Sequence, residues 1–382
     1  MPWKEVSAMS LREEFVVLAS AEGSNISVLC RRFGISRKTG YKWLAREKAG
    51  GQAGLRDASR RPHTSPHKTV EAVEAAVVKL RKTHSAWGGR KLRTRLLNLG
   101  AASVPAASTI QAILQRQGLI DPDEASKHGA WQRFEHEAPN DLWQMDFKGH
   151  FAITGQHRCH PLTVLDDHSR FSLTLLACAN EQTATVQNGL TTTFRRYGLP
   201  RRILADNGAP WGNSGGDHSY TPLVIWLIRL GVRVSHGRPY HPQTQGKDER
   251  FHRTLQAEVL QGARFADLRE CQAKFDRWRD VYNLERPHEA LQLKPPVSRY
   301  LPSEQSFPET LPAIEYGPGD QVRKVQSEGW ISFRNRKFRL PHAFRGYPVA
   351  LRATQEDGRF EVYFCRERIK QIDLKEPTPA DQ

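Results

Sequence analysis

The stretch from Asp141 to Tyr282 constrains the fold most, because its hydrophobic period alternates between that of a strand and that of a helix. Strand-like runs at 142–151, 161–165 and 171–177, the last two joined by the turn Asp166-Asp167-His168-Ser169, predict an antiparallel meander. Helical patterns at 183–197, 223–230 and 247–261 then alternate with apolar runs at 202–205 and 232–235, and a further amphipathic helix is expected at 267–282. The order βββαβαβα predicts a mixed sheet with helices on its faces.

Within this frame the placement of acids is informative. In LWQMDFKGHF the alternation sets Trp143, Met145 and Phe147 on one face and Gln144, Asp146 and Lys148 on the other. Asp is depleted in strands, so Asp146 needs a reason to be there, although an exposed face is one. The apolar run of RRILADNG stops at Asp206, before an Asn-Gly turn. The C-terminal end of a parallel strand is where open α/β sheets place ligand groups, yet Asp-Asn-Gly is also a common turn.

HPQTQGKDERFHRTL carries the third set of acids. Pro239 and Pro242 exclude a helix before Gly246, and helix is expected from about Lys247, with Asp248 and Glu249 in its first turn, where the macrodipole favours acids in any case. At 100° per residue Phe251, Leu255 and Val259 form the buried stripe. Asp248 falls on its flank and reads as a dipole and solubility residue, while Glu249 falls on the opposite side in line with His252, Arg253 and Gln256. Asp166 and Asp167 are competing ligands, but their hairpin position reads as structural.

The charge distribution supplies a partner. The net charge is +16, and residues 1–120 hold 21 Lys and Arg against 8 Asp and Glu, leaving 36 against 33 for the rest. This places most of the excess at the N-terminus and points to a polyanion there. Helices at 11–21, 27–33 and 36–46, with Gly34 in the turn and Ser36 able to cap the last, read as a helix-turn-helix over residues 1–50, with a solvated three-helix bundle as the plainer alternative. Its last helix offers Arg37, Lys38, Tyr41, Lys42 and Arg46 to DNA. Residues 51–67 read as a basic linker able to track phosphates, Arg60 and Arg61 included. Helices at 69–83, 89–98 and 106–117 read as a second helix-turn-helix over 68–120, and 121–139 as a connection. Two such modules in series lengthen the site read.

After a core spanning 140–300, short β-branched and aromatic runs over 318–376, punctuated by turns such as Glu356-Asp357-Gly358, predict a small all-β barrel or sandwich, either a packing module or a further nucleic-acid surface. The five cysteines show no metal-ligand spacing and read as free thiols of a reducing compartment. The N-terminus shows no apolar signal region, and the longest apolar run, 223–230, is too short to span a bilayer. A cytoplasmic, nucleoid-associated protein without membrane contact is expected.

Three carboxylates on separate segments of a basic chain with DNA-binding modules suit phosphodiester transfer. Two Mg²⁺ ions roughly 3.5–4 Å apart activate the attacking and leaving oxygens in such chemistry, and Mg²⁺ prefers hard oxygen ligands.

DLWQMDFKGHF, PLTVLDDHSRF, YGLPRRILADNGAP, HGRPYHPQTQGKDERFHRTLQAE and YNLERPHEAL resemble bacterial insertion-sequence DDE transposases with an integrase-type catalytic core, related to retroviral integrase, over residues 140–291. The resemblance implies an RNase H-like fold whose metal-binding triad is Asp146, Asp206 and Glu249, with two Mg²⁺ or Mn²⁺ ions. It also implies chemistry without a covalent protein intermediate: water frees a 3′-OH at the element end, and that 3′-OH attacks target DNA. Gln245, Gly246, Lys247, His252 and Arg253 are then candidate contacts to the DNA end, or else a solvated helix face. Two element ends must be held together, so a homodimer or larger assembly on double-stranded DNA is expected. The sequence departs from the retroviral pattern in lacking the N-terminal His/Cys module, so no zinc is expected. It also holds 42 residues between Asp206 and Glu249, a longer gap whose excess fits the glycine-containing segment 211–222. The rival expectations are a regulator whose integrase fold has lost catalysis and an RNase H-type nuclease that only hydrolyses.

Overall fold

The computed structural model describes residues 8–57, 68–120, 135–212, 220–236 and 246–376. By its internal contacts the chain divides into two compact units, Met1–Lys68 and Thr69–Gln382.

In the first unit, helices α1 (Ala8–Ala19), α2 (Ile26–Arg32) and α3 (Arg37–Gly54) enclose Phe15, Val16, Cys30 and Trp43. Asn25 caps α2 by accepting from the Ser27 and Val28 amides, and Ser36 caps α3 by accepting from Thr39 N at 3.1 Å. Gly34 turns the chain between them at φ +63. Gly40 lets α3 approach closely, since a Cβ there would stand 2.6 Å from Cys30 Sγ and 2.9 Å from the Phe15 ring. The linker expected from residue 51 begins instead as helix, because α3 continues past Arg46 to Gly54 across a break at Gly51. Leu55 is then buried, and Arg12 Nη1 donates to its carbonyl at 2.9 Å. Arg60 and Arg61 lie outside the described residues.

The second unit opens with helices α4 (Glu71–Thr83), α5 (Gly89–Asn98) and α6 (Ala107–Arg116), packed around Val77, Trp87, Leu92 and Ile110. Strands β1 (Trp143–Phe147), β2 (Phe151–Ala152), β3 (Arg158–Asp166), β4 (Ser172–Cys178), β5 (Arg202–Ala205) and β6 (Arg233–His236) form one sheet. Strand β3 pairs antiparallel with β1, β4 and the short β2, whereas β1, β5 and β6 run parallel. The expected mixed sheet is therefore present, with the first expected strand divided into β1 and β2.

Alternation sorts the two faces. Trp143 and Met145 of β1 and Leu162 and Val164 of β3 pack under helices α7 (Thr183–Tyr197) and α8 (Pro222–Arg229). The opposite face meets helices α9 (Gly246–Leu255) and α10 (Leu268–Asp280) through Leu165, Leu175, Phe251, Leu255 and Phe275. Helices α9 and α10 each run on into a wider π turn, Gln256–Leu260 and Val281–Glu285. Trp211, expected in an inserted loop, is buried in the core beneath Phe147, with ring centroids 5.4 Å apart.

At the C-terminal end, strands β7 (Gln321–Lys324), β8 (Trp330–Phe333), β9 (Arg336–Arg339), β10 (Pro348–Ala353), β11 (Arg359–Phe364) and β12 (Glu367–Asp373) build a four-stranded sheet in the order β12-β11-β10-β7 and the hairpin β8-β9. They do not enclose a private core: Val224, Ile225 and Ile228 of α8 pack among Phe344, Val349 and Phe364. Among the described residues, no helix is long and apolar enough to cross a membrane.

Candidate metal centre

The sheet brings two of the expected acids level. Parallel β1 and β5 pair Trp143 with Ile203 and Gln144 with Leu204, and two residues further along each chain stand Asp146 and Asp206, near enough for the charge of Asp206 to act on Asp146. Gln144 and Asp146 share the β1 face that looks toward α9, so strand alternation aims Asp146 at the helix carrying Glu249. Gln144 is nonetheless buried rather than outward-facing. Asp146 is half-buried, and its carboxyl is pushed up to about 7, first by burial and then by the negative charge of Asp206, Glu181 and Glu249, against one favourable bond from the Phe147 amide. A divalent cation beside Asp146 would offset both the burial and the neighbouring negative charge that oppose its ionisation.

Asp206 directly follows β5 and folds onto its own turn: Oδ1 accepts from Gly208 N at 2.9 Å and from the Trp211 indole N–H. His236 Nδ1 approaches the Asp206 carbonyl at 2.8 Å. Glu249 is exposed on the first turns of α9. Among the described residues, no three His, Cys, Asp or Glu side chains close on one point as a finished metal cage. The acids fit a hard cation by donor type and by mutual repulsion, with Asp206 held back by its turn and by Trp211. Glu181, unremarked in the sequence, adds to the negative field, and its Oε1 lies 2.7 Å from His160 Nδ1.

Asp248 is not the solvated dipole partner expected. It is fully buried with neither carboxylate oxygen hydrogen-bonded among the described residues, and burial, then Asp146 and Asp167, raises its pKa well above its ordinary value. The signal was present in the sequence, since positions 248, 251 and 255 have the i, i+3, i+7 spacing of one helical stripe.

Two of the expected DNA contacts have protein partners instead. Lys247 Nζ is ion-paired with the carboxylate of Asp167 and donates to the Asp167 carbonyl at 3.2 Å. His252 Nε2 lies 2.9 Å from Thr163 Oγ1, and burial, then Lys148, lowers its pKa to about 4, leaving a neutral ring at pH 7. Both residues lie on the sheet side of the helix rather than on its solvated face. Arg253 is exposed, Gly246 begins α9, and Gln245 lies outside the described residues. Asp166 does serve its turn, accepting from Asn140 N, Ser169 N and Ser169 Oγ. Asp167 joins the turn to more distant segments: it accepts from Gln144 Nε2 at 2.7 Å and from His136 N at 2.9 Å. Burial pushes its carboxyl up, but the Lys247 ammonium, the His136 amide and Arg170 together hold it below its ordinary value.

On the first unit, Arg37, Lys38, Tyr41 and Lys42 are exposed on α3. Arg46 is drawn inward: its guanidinium lies over Trp43 at 4.8 Å and donates to the Arg56 carbonyl at 2.7 Å.

Comparison with known families places these features. Residues 136–242 and 230–296 match the integrase core domain, and residues 320–380 match the C-terminal domain of IS481 family transposases. Residues 12–63 match a helix-turn-helix domain and residues 39–114 a homeodomain-like domain. The chain is 26% identical over 279 residues to a 39.2 kDa protein of insertion element IS476 from Xanthomonas euvesicatoria, covering 72% of this chain and 78% of that one. It is 24% identical over 230 residues to a 31.7 kDa protein of insertion element IS407 from Burkholderia multivorans, covering 59% and 79%. Among solved structures, a chain of the simian T-cell lymphotropic virus intasome aligns over 75% of this chain and 91% of its own, at 14% identity and a TM-score of 0.39.

Proposed function

Given that the chain belongs to the bacterial insertion-sequence transposases with an integrase-type core, we propose that it binds the terminal repeats of its element, frees a 3′-OH by hydrolysis and joins that 3′-OH to target DNA. The observation that carries the reading is Asp146 on β1, pushed toward neutrality first by burial and then by the charge of Asp206, which directly follows the adjacent parallel β5. Asp146, Asp206 and Glu249 would hold Mg²⁺ or Mn²⁺. When bound, a pair of such ions supplies charge neutralisation at the scissile phosphate and activates the attacking and leaving oxygens.

The chain's own residues set the stage for that chemistry. The β1 and β5 backbones fix two carboxylates side by side, and packing of Phe251 and Leu255 against β3 and β4 holds the helix bearing the third. The buried Trp211 indole fixes the orientation of the Asp206 carboxylate. Exposed Arg37, Lys38, Tyr41 and Lys42 on α3 are positioned to meet phosphates and base edges, and Arg253 to meet the DNA end near the acids. Joining two ends to one target requires two catalytic sites, so the active species on DNA is a dimer or a larger assembly.

The test supplies a duplex carrying the element's terminal repeat, with Mg²⁺, to the native protein and to Glu249→Gln. The native protein is expected to nick at the 3′ end and the variant to retain DNA binding while nicking falls by more than ~100-fold. Binding without nicking by either protein would favour a DNA-binding regulator, and nicking without joining would favour a hydrolytic nuclease.

A further inference from the structure

We propose that Asp167 and Lys247 are positioning residues for the acidic site: their ion pair ties the first turn of α9 to β1 and to the β3–β4 turn, and thereby sets the spacing of Asp146 and Glu249 at which a divalent cation is held. The inference rests on the reading of that site as metal-binding.

The connection runs through one carboxylate. Asp167, only 3% exposed, uses Oδ1 to accept from Gln144 Nε2 and to pair with Lys247 Nζ, while Oδ2 accepts from the His136 amide. The Lys247 ammonium is held a second time by the Asp167 carbonyl at 3.2 Å. Gln144 stands two residues before Asp146 on the same face of β1, and Lys247 two residues before Glu249 on α9. A single buried oxygen thus bridges the neighbours of two site acids that are distant in sequence. Neighbouring Asp166 closes the turn through Ser169 and also accepts from Asn140 N, whereas it is Asp167 whose carboxylate reaches Gln144 and Lys247.

Energetics point the same way. A buried acid–lysine pair gains little over an apolar pair of similar size, because desolvation offsets its attraction; its best-attested use is to select one arrangement among several. Here the arrangement selected is the register of α9 on the sheet. Repulsion between Asp146 and the acids around it opposes close approach, and a lock outside the cluster resists that spreading.

The test measures Mn²⁺ affinity of the full chain without DNA, by loss of the free-ion EPR signal, for the native protein, Asp146→Asn, Lys247→Met, Asp167→Asn and Lys247→Arg, with melting temperatures alongside. Loss of the ion pair in Lys247→Met and Asp167→Asn is expected to weaken Mn²⁺ binding by roughly 10- to 100-fold. Lys247→Arg, which keeps the charge but not the compact ammonium, is expected to retain more affinity than Lys247→Met. Should Lys247→Met fail to fold, Asp167→Asn, which preserves the side chain's shape, carries the test. Native affinity in both pair-breaking variants while Asp146→Asn is weakened overturns the proposal and leaves the metal site standing. Affinity that falls only in step with melting temperature overturns it also. Native affinity in Asp146→Asn overturns the metal site and the proposal together.

Discussion

A buried carboxyl group with neither oxygen hydrogen-bonded destabilises the chain that carries it, and among the described residues Asp248 is such a group. Replacement by Leu, which has a similar branched outline, is expected to raise stability at neutral pH by ~1–3 kcal/mol, read from chemical denaturation. A loss of stability would show that the carboxyl has a favourable role that its surroundings do not reveal. His252 gives the opposite kind of lever. Its folded-state pKa of about 4 lies below the ordinary 6.5, so between those values the unfolded chain binds more protons than the folded one. Stability is therefore expected to fall as pH drops from 6.5 toward 4, by ~1.4 kcal/mol per pH unit for such a group. His252→Gln should flatten that slope in denaturation curves at pH 7, 6 and 5; an unchanged slope would place the titration elsewhere, with His288, which burial also holds neutral, the first alternative. Helical phase correctly set Glu249 apart on the solvated side of the helix. It misjudged Asp248, Lys247 and His252 because α9 contacts both the sheet and the β3–β4 turn, and a single stripe through Phe251 describes only one of these contacts.

Helix α8 shows how much an element's composition can say. Leu223 to Ile228 are all buried, and a helix apolar all round must be covered on more than one side. Leu223, Trp226 and Leu227 face the core sheet; Val224, Ile225 and Ile228 face the β structure of residues 321–373. That second cover was legible in PLVIWLIR, although which segment provides it was not. Ile225→Ala is expected to cost ~2–5 kcal/mol and to loosen the C-terminal strands, measurable as a lower melting temperature and faster proteolysis there. Native melting behaviour would mean that the β structure is stable without this face. Strand β12 lies within the span expected to be all-β, although ERIKQID lacks an apolar period and its pairing with β11 is made by the backbone.

At the scale of the molecule, the mixed sheet and most helix limits followed from hydrophobic period, and α5, α7 and β5 lie at the residues expected. Contacts between remote segments did not follow. Arg95 of α5 is ion-paired with Glu285 beyond α10, and the buried Arg286 and Glu258 join the two π turns at 3.1 Å. Such pairs depend on which faces meet, and no local pattern encodes that. Singly, each of the three acids had an ordinary alternative; their placement on separate segments of a basic chain suggested a set, and motif resemblance named the proposed triad. The most direct measurement bypasses end cleavage: a precut terminal-repeat duplex with a free 3′-OH, a target plasmid and Mg²⁺, with native protein or Asp206→Asn. Covalent joining of the 3′-OH to the plasmid is expected from the native protein alone, with equal DNA retention by both; joining by Asp206→Asn at the native rate would remove Asp206 from the proposed metal-binding set.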